Sequence, residues 1–486
     1  MSEFSEKLSY YIAQSGCSVY QLAKEASLDR TTLQKTVKGQ RLPSMDYIKD
    51  ICKHIKISPK QEEELLHLYK IEKLGHGVVE SWDEINEIFS DIQRLRDKKL
   101  SQNINNIHFD EQSLRSFNHK MVQSYTSELE IVKAIMCMIE QEILEEDEPE
   151  IYMDVSWASE YVLSLLMQND NQNGKSPVCH QLVKLRRMEA DKEGVAENFH
   201  ILHQVLPYAF VFQKEYDVRY AYVTSAEEDN RYYLWPHYVV THRHVFLCPE
   251  EPHRALLVAS ELMSEEYRRE LERLIHEFRP LLSYQGITDE GIRKYRRMSE
   301  YSDTHVTVEE CPCLVLMVSE EAQELLKKDP VIGKVAASYF DIPKINFSQF
   351  TNIFGMEGMK NFIRTGHLPG VYGQYFTVEK IEDRRAMMEN FHQHLLAHTR
   401  QFYMINEKKY PGCEGYGVEV FGKYRVMFYS TSGEFPFGFI SIDEPGISEV
   451  FYGYFENLLE SEYLYSEEET IVAFEEFVEE AFREIE

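Results

Sequence analysis

The sequence predicts a multidomain protein with an all-α head, a helical connector and a mixed α/β C-terminal body. The chain has 486 residues, which exceeds one ordinary domain, and 43% of them are hydrophobic, which is enough to form buried cores. Apolar residues recur with helical spacing from the N-terminus to about residue 145. From Ile151 onward, short alternating segments typical of β-strands lie between further helices.

Two short helices separated by a tight turn are predicted near the N-terminus. Ser18 is a favourable N-cap for the first helix, whose apolar residues recur at i, i+3, i+4 and i+7 from Val19. Asp29 can cap the second helix, Arg30 to Lys38, and Gly39 follows where a left-handed C-cap residue is expected. With further amphipathic helices on either side, this pattern predicts a helix-turn-helix.

The outward face of the second helix carries long hydrogen-bond donors and small hydroxyl groups, which are the side chains that reach base edges and phosphates in DNA. Residues at the start of such a helix approach base edges, so Arg30, Thr31 and Gln34 are expected to read sequence. Lys35 and Lys38 lie further along and are expected on phosphates. The predicted DNA-binding residues are Arg30, Thr31, Thr32, Gln34, Lys35, Lys38 and Arg41.

Charge is distributed unevenly along the chain. The net charge is −30, yet residues 18–60 contain nine Lys or Arg against four Asp or Glu. That segment is therefore net +5, and the remainder is net −35. A small basic head on a large acidic body can bind DNA through one face, while the body is repelled by DNA.

Short motifs of the head also occur at characteristic spacings. They are Leu22-Ala23, the segment from Leu28 to Leu33, and the pattern Gly39-x-Arg41-x-Pro43. Over about residues 5–73 the chain resembles the lambda-repressor/Cro-type (XRE) helix-turn-helix family. The resemblance implies that residues 1–74 are a DNA-binding domain whose partner is double-stranded DNA. A head of this size gains specificity by binding two half-sites as a homodimer, so homodimerisation is expected.

Three positions depart from that family. Val19 stands where Gln is usual, Ser27 where the turn glycine is usual, and Val37 where an acidic residue is usual. These departures affect the expected contacts to phosphates and bases and leave the expected fold unchanged. We therefore expect fewer DNA contacts from the first motif helix.

Residues 78–148 are predicted to form a helical connector. Ser81 begins a capping-box pattern before an amphipathic helix, and residues 98–112 have the composition of a polar link. From Leu114 to Ile143, apolar residues step by three and four, which indicates a long helix or a helix pair broken at Ser127. This stripe is either a dimer seam or a helix that packs on its own chain.

The body is predicted as two mixed α/β segments, 149–300 and 301–486. Either segment could sense a ligand, and the second could also hold a dimer together. Thr241 to His244 indicates a tight hairpin turn, and Cys313 to Val318 has the pattern of a strand. Both segments run strands, hairpin, strand and helix, so a diverged internal duplication is conceivable, although no residue-level repeat is visible.

Patterns for catalysis, metals or cofactors are missing from the sequence. A phosphate-binding loop would need a glycine five residues before Gly174-Lys175-Ser176, where Asn169 stands. No nucleophile-elbow, zincin or kinase pattern occurs. His242, His244 and the histidines at 392, 394 and 398 lack an acidic or cysteine partner at ligand spacing. We therefore expect no catalytic residues, no metal site and no cofactor.

Aromatic residues crowd the segment 208–238. Rings that keep a polar tip suit a pocket for a small molecule or a peptide. Packing in a core or an interface would explain the same residues equally well.

The combined features predict a sequence-specific DNA-binding transcriptional regulator. We expect it in the cytoplasm and not in a membrane, because the N-terminus lacks the pattern of a signal peptide and no apolar run reaches membrane-spanning length. The acidic body would sense a small-molecule or peptide effector, or assemble the homodimer. One alternative is an enzyme of unknown reaction with a DNA-binding head. Another is a protein-interaction module that the head tethers to DNA.

Overall fold

The computed structural model describes most of the chain: residues 2–96, 121–154, 162, 166, 177–187, 194–212, 215–223, 237–249, 254–286, 289–328, 333–340, 348–367, 377–410, 415–430 and 438–485. It contains two compact units, one formed by Met1–Asp83 with Met188–Ala196 and the other by Glu84–Arg187 with Glu197–Glu486. We refer to residues 2–74 as the head, and to the part of the second unit from residue 121 onward as the body.

Each helix of the head begins after a side chain that caps it. The N-cap residues are Ser2, Ser18, Asp29, Ser44 and Ser58, and each accepts a hydrogen bond from the backbone N–H three residues later. The caps predicted at Ser18 and Asp29 are confirmed. The five helices are α1 (Glu3–Gln14), α2 (Val19–Glu25), α3 (Arg30–Val37), α4 (Met45–Ile55) and α5 (Pro59–Leu74).

The apolar faces of these five helices close on one core. Each helix contributes a fully buried aliphatic side chain, and these are Leu8, Leu22, Leu33, Ile48 and Leu65. Complete burial of such a side chain contributes about 2 kcal/mol to the free energy of unfolding. The predicted all-α head is confirmed.

Helix α6 (His76–Arg96) runs from the first unit into the second. The sequence predicted its start at Ser81, but the helix begins five residues earlier. Ser81 is buried, and its hydroxyl donates to the carbonyl of Gly77 at 2.6 Å. A serine hydroxyl that bonds back along a helix does not cap one, which explains the misplaced start. The polar link predicted at residues 98–112 lies outside the described residues.

An eight-stranded mixed sheet forms the first half of the body. Its strands are β1 (Val122–Tyr125), β2 (Glu150–Asp154), β3 (Val178–Arg186), β4 (Tyr216–Val223), β5 (His237–Val240), β6 (His244–Cys248), β7 (Ala255–Ala259) and β8 (Arg279–Pro280). They lie in the order β1-β7-β6-β5-β2-β3-β4-β8. The three strands β2, β3 and β4 are parallel, and the remaining neighbours pair antiparallel.

A seven-stranded mixed sheet forms the second half. Its strands are β9 (Ser283–Gly286), β10 (His305–Glu309), β11 (Phe350–Phe354), β12 (Phe402–Met404), β13 (Tyr416–Phe421), β14 (Arg425–Ser430) and β15 (Gly438–Ile442). They lie in the order β12-β11-β10-β13-β14-β15-β9. Here β10, β11 and β12 are parallel, and the remaining neighbours pair antiparallel.

The helices of the body connect these strands and cover the sheets. They are α7 (Glu128–Glu145), α8 (Val195–Phe212), α9 (Glu261–Glu277), α10 (Asp289–Tyr301), α11 (Leu314–Met317), α12 (Glu320–Leu326), α13 (Gly333–Phe340), α14 (Met356–Thr365), α15 (Ile381–Ala397), α16 (Pro445–Leu459) and α17 (Glu467–Arg483). The mixed α/β body predicted from the sequence is confirmed.

The two sheets have the same topology. In each, an edge strand (β1 or β9) is followed by a helix, three parallel strands, three antiparallel strands and a second helix (α9 or α16). In each, the chain then pairs antiparallel with the last parallel strand or its continuation, through β8 beside β4 and through Leu464 beside Ile405. The body therefore consists of two structural repeats, which we call the first repeat (residues 121–280) and the second repeat (residues 283–464).

This duplication moves the segment boundaries away from the predicted ones. Strand β1 pairs with β7, so residues from 121 onward belong to the first repeat and not to a connector. Strand β9 pairs with β15, so the second repeat starts near residue 283 and not at 301. Both pairings join residues more than a hundred positions apart, and no local sequence pattern reports such a contact.

The helix predicted from Leu114 to Ile143 is in its described part a strand followed by α7. Ser127 caps α7 by accepting from the backbone N–H of Glu130. The stripe residues Val132, Met136 and Ile139 are buried within the chain. These residues therefore pack on their own chain, as one of the two predicted alternatives stated, and do not form a dimer seam.

Two short motifs of the body have opposite outcomes. The hairpin predicted at Thr241 to His244 is confirmed, because the Thr241 N–H donates to the carbonyl of His244 at 3.0 Å. The strand predicted at Cys313 to Val318 is wrong, because this segment forms α11. A short apolar run suits a buried strand and a buried helical turn equally, so its pattern does not distinguish them.

Aromatic rings join the two repeats. Phe199 and Phe210 of α8 pack against Phe451 of α16 and Phe428 of β14, with ring centroids 5.5 and 6.4 Å apart. The hydroxyl of Tyr222 on β4 donates to Glu444 at 2.5 Å.

None of the helices in the described residues has the length and apolarity needed to cross a membrane.

Candidate DNA interface

The helix-turn-helix of the head is formed by α2, the turn at residues 26–29, and α3. Ser18 and Gln21 form a capping box at the start of α2. Ser27 adopts a left-handed conformation with φ of 55°, and the N–H of Leu28 closes the turn on the carbonyl of Ala23 at 2.9 Å. A left-handed backbone costs a serine about 1 kcal/mol, so the turn geometry is retained without the usual glycine.

The first turn of α3 is fixed from two directions. The Asp29 carboxylate accepts from the N–H of Thr32 at 2.7 Å, and hydrogen bonds from the hydroxyl and the N–H of Thr32 hold the pKa of Asp29 below its usual value. The hydroxyl of Tyr47 on α4 donates to the carbonyl of Asp29 at 3.0 Å. The start of α3, where base contacts are expected, is therefore held rigidly on the head.

Six of the seven predicted DNA-binding side chains are exposed, and these are Arg30, Thr31, Gln34, Lys35, Lys38 and Arg41. Thr32 is half-buried. Its hydroxyl accepts from the Arg41 guanidinium at 3.1 Å, so Thr32 orients Arg41 and caps α3 with Asp29. The predicted left-handed C-cap is also present, because Gly39 has φ of 67° and donates to the carbonyl of Thr36.

Tyr20 is an additional residue of this surface that sequence reasoning missed. Its side chain on α2 is 58% exposed, and the guanidinium of Arg30 lies 5.3 Å from the centre of its ring. A cation held over an aromatic face loses part of its conformational freedom. The sequence feature that could have indicated this contact is a large aromatic residue at an outward position of α2. It directly follows Val19, which replaces the Gln that is usual in the helix-turn-helix family.

Residues 7–66 match the Cro/C1-type HTH DNA-binding domain. The resemblance drawn from the sequence is therefore confirmed for this segment, and the chain carries a DNA-binding domain at its N-terminus. No curated protein matches the chain.

One solved structure aligns with 57% of this chain. It is that of TrmBL2, an archaeal chromatin protein described as showing a novel mode of DNA binding, and the alignment covers 94% of the TrmBL2 chain. The identity is 9% and the TM-score is 0.21. A similarity this low establishes no common fold, and we infer nothing about the body from it.

The aromatic residues that could have lined a pocket are largely core residues. Tyr208, Phe210, Phe212, Tyr216 and Tyr220 are all buried. Phe210 packs against the second repeat, as described above, and the Tyr216 hydroxyl donates to Gln181 at 2.5 Å. The residues from 224 to 236 of this block lie outside the described part of the chain.

The histidines considered for metal binding have other partners. His242 contacts Glu142 at 2.5 Å, and His392 contacts Glu475 at 2.9 Å. Burial lowers the pKa of His244 to about 4. Among the residues that the structure describes, no three His, Cys, Asp or Glu side chains come together in a way that could hold a metal ion.

Replacement of Gln34 and Lys38 separates base reading from phosphate contact. Gln34→Ala is expected to cost roughly 1 to 3 kcal/mol on the best site and much less on random DNA. Lys38→Ala is expected to weaken binding to the best site and to random DNA about equally. It should also reduce the slope of log binding constant against log salt concentration by about one. Fluorescence anisotropy with specific and random duplexes at two salt concentrations measures this. Unchanged specific binding by Gln34→Ala would exclude α3 as the reading helix.

Replacement of Tyr20 tests whether its ring orients Arg30. Tyr20→Ala is expected to weaken binding to the best site about two- to fivefold, because Arg30 then adopts many conformations. Tyr20→Phe keeps the ring and is the matched control, so it should retain the base preference at the position that Arg30 reads. Equal losses in both variants would show that the hydroxyl acts and not the ring.

Proposed function

We propose that this protein is a cytoplasmic, homodimeric, sequence-specific transcriptional regulator. The observation that carries the proposal is the exposed row of donors on α3, held on a helix whose start is capped by Asp29 and fixed by Tyr47. Rigid presentation of such donors allows hydrogen bonds to base edges in the major groove. A head of five short helices reads one half-site, and a dimer reads two.

The charge distribution supports binding through the head alone. The segment of net charge +5 includes α2 and α3, while the rest of the chain carries −35. Such a body is repelled by phosphates, so DNA would reach only the basic surface of the head. We therefore assign the body a regulatory and not a DNA-wrapping function.

Full-length protein is expected to select a two-fold symmetric site from random duplexes. Its half-sites should lie about one helical turn, roughly 34 Å, apart or a multiple of this, because two heads in one dimer meet the same face of the duplex. Sedimentation should show a dimer at micromolar concentration. A monomer, or selection of DNA without a shared sequence, would contradict the proposal.

The second repeat has the feature that supports sensing in the body. Because the repeats share a topology, corresponding rows across the two sheets can be compared on the face turned away from α9 or α16. In the first repeat, one such row reads Gln181, Met153, Val239, Phe246 and Leu257. In the second repeat, it reads Asn352, Thr307, Glu419, Met427 and Ser441.

The polar side chains of the second repeat form two buried hydrogen-bonded groups, centred on Glu309 and Glu419, which we together call the network because the two carboxyl groups interact electrostatically. Glu309 accepts from the Tyr429 hydroxyl at 2.6 Å and from the Asn352 amide at 2.9 Å. Glu419 accepts from the Tyr295 hydroxyl at 2.9 Å and contacts the His305 ring nitrogen at 2.8 Å. A buried network that contains two carboxyl groups is rarely the most stable way to fill a core.

Two further details indicate that this network is specifically built. Gly417 has no side chain where a Cβ would overlap the Tyr429 ring, so the tyrosine crosses β13 to reach Glu309. The hydroxyl of Ser441, 1% exposed, has no hydrogen-bond partner among the described residues. These features support the second repeat as the region that responds to a small-molecule or peptide effector.

The ionisation of Glu309 provides a test. Burial and the neighbouring Glu419 raise the pKa of Glu309 from 4.5 to about 7. Because the folded state disfavours the ionised carboxyl, stability is lost as pH rises from about 4.5 to about 7, by roughly 3 kcal/mol. Glu309→Gln removes this penalty, since its amide oxygen can accept from Asn352 and its nitrogen can donate to the Tyr429 oxygen.

Glu309→Gln is therefore expected to be more stable than the wild type at pH 8 and about equal to it at pH 5. Chemical unfolding at both pH values measures the difference, with Glu324→Gln on the exposed side of α12 as the control. Equal stability at pH 8 would show that the network is not strained. Differential scanning fluorimetry of both variants against metabolites and peptides then identifies compounds whose effect depends on Glu309.

The same carboxyl group defines the second candidate function, an enzyme with a DNA-binding head. A carboxyl with a pKa near 7 is suited to general acid–base catalysis. A compound that stabilises the wild type and is recovered unchanged supports a sensor. A compound that is converted, and is no longer converted by Glu309→Gln, supports the enzyme.

A further inference from the structure

The second half of α6 buries its apolar face in the second unit. Ile85, Ile88, Phe89 and Ile92 are each less than 5% exposed. These residues belong to the second unit, whereas His76–Asp83 of the same helix belong to the first. The helix that follows the head in sequence therefore packs its second half into the second unit through these apolar residues.

On one side, α6 contacts the second repeat. The Phe89 ring stacks on Tyr416 of β13 with centroids 5.4 Å apart and also contacts Phe451 of α16 at 6.4 Å. The hydroxyl of Tyr454 donates to the side-chain oxygen of Asn86 at 2.6 Å. Apolar stacking and one directed hydrogen bond thus hold this side of the helix.

On its other side, α6 contacts the first repeat through His203 of α8. Nδ1 of His203 on α8 lies 2.8 Å from a carboxylate oxygen of Glu84, and Nε2 lies 3.1 Å from a carboxylate oxygen of Asp91. The two carboxylates are two turns apart on α6 and contact opposite nitrogens of the imidazole ring. All three side chains are about three-quarters buried.

This geometry requires the charged form of the ring. A carboxylate oxygen only accepts, and a neutral imidazole has a single N–H, so two such contacts need both nitrogens protonated. Hydrogen bonds to Asp91 and Glu84 raise the pKa of His203 accordingly, against the opposing effect of burial. Charge-assisted hydrogen bonds of this kind are stronger than neutral ones.

Few other charges face this cluster in the described residues. His200, one turn earlier on α8, lies 3.6 Å from Glu84. Arg94 of α6 lies 3.0 Å from Asp91. Of these groups, His203 is the one that contacts both carboxylates.

We propose that His203, Glu84 and Asp91 form a clasp that locks α6 between the two repeats, and that opening of the clasp lowers operator affinity by releasing the helix that leads to the head. The second part rests on the proposed function of the head. A helix held between two repeats is sensitive to any shift of one repeat against the other. An effector that acts on the second repeat would reach the head through this helix.

The expected effect on DNA follows from effective concentration. In a dimer whose heads are held by docked α6 helices, binding of one half-site places the second head near the other half-site. Released helices let the heads move independently and reduce that advantage. Opening of the clasp should therefore weaken binding to a complete operator and leave binding to a single half-site unchanged.

The clasp also has a defined pH dependence. The raised pKa of His203 means that its stabilisation is complete below the ordinary histidine value of 6.5 and is lost as pH rises through the higher pKa in the folded protein. Protection of α6 should thus be greatest below about pH 6.5 and should decline at alkaline pH.

The first repeat supplies a matched control. His180 on β3 also lies between two carboxylates, with Glu150 at 3.2 Å and Asp217 at 3.4 Å. These three residues are all on strands of the first sheet, and none is on α6. His180→Gln removes the same chemistry from the body without touching the clasp.

Hydrogen–deuterium exchange of the full-length protein tests the clasp directly. His203→Gln is expected to increase exchange of residues 84–96 roughly tenfold at pH 6, because the charge-assisted contacts to Glu84 and Asp91 are lost. The exchange rates, corrected for intrinsic chemistry, should no longer depend on pH between 6 and 9 in this variant. His180→Gln should leave the exchange of residues 84–96 and its pH dependence as in the wild type.

The opposite pattern would overturn the clasp. If His203→Gln and the wild type exchanged equally across this pH range, or if His180→Gln released α6 as well, the stabilisation would be general and not specific to His203. Glu84→Gln and Asp91→Asn provide independent variants that alter the same contact from α6.

DNA binding by the same variants tests the regulatory part. We expect His203→Gln to bind a complete operator about tenfold more weakly than the wild type and a half-site equally well. If His203→Gln increased the exchange of α6 but left operator binding unchanged, the regulatory part of the proposal would be refuted and the clasp itself would still be supported. Failure of the wild type to bind any selected duplex would instead refute the proposed function. The exchange experiment would still test the clasp, because it does not depend on DNA binding.

Discussion

Burial of α6 between the two repeats is the contact on which the organisation of the chain depends. Phe89 enters an aromatic cluster of the second repeat, and the carboxylates of Glu84 and Asp91 grip His203 of the first. The same helix begins in the unit that contains the head. Because a buried helix cannot shift without disturbing the packing around it, the position of this half of α6 depends on the arrangement of the two repeats.

Duplication explains why the body is so large for a chain whose DNA-binding domain is short. The two repeats share strand order and the positions of their covering helices, but they fill one sheet face differently. The first uses Met153 and Val239, where the second uses Thr307 and Glu419. Aliphatic packing favours stability, whereas buried carboxyl groups lower it and are retained where they serve another purpose. The proposed sensing function of the second repeat rests on this difference.

The surface of the head owes its geometry to short-range interactions. Asp29 caps α3, Thr32 holds Arg41, and Ser27 accepts a left-handed backbone so that the turn keeps its length. Long-range electrostatics act on a different scale, since the acidic body repels phosphates and leaves the basic segment as the surface for DNA. Local capping thus sets the direction of the exposed α3 side chains that we expect to read DNA, and the overall charge favours the head as the DNA-binding surface.

The sequence by itself determined the head and its candidate residues, because N-caps, glycine C-caps and helical periodicity act between residues a few positions apart. It also determined that the body is mixed α/β. Only the tertiary structure decided that residues 122–125 form an edge strand, that Ser81 lies inside a helix, and that Cys313 to Val318 is helical. It alone revealed the duplication, the ring of Tyr20 beneath Arg30, and the clasp at His203. The edge strand, the duplication and the clasp depend on residues more than a hundred positions apart, whose pairing becomes visible only when the chain has folded.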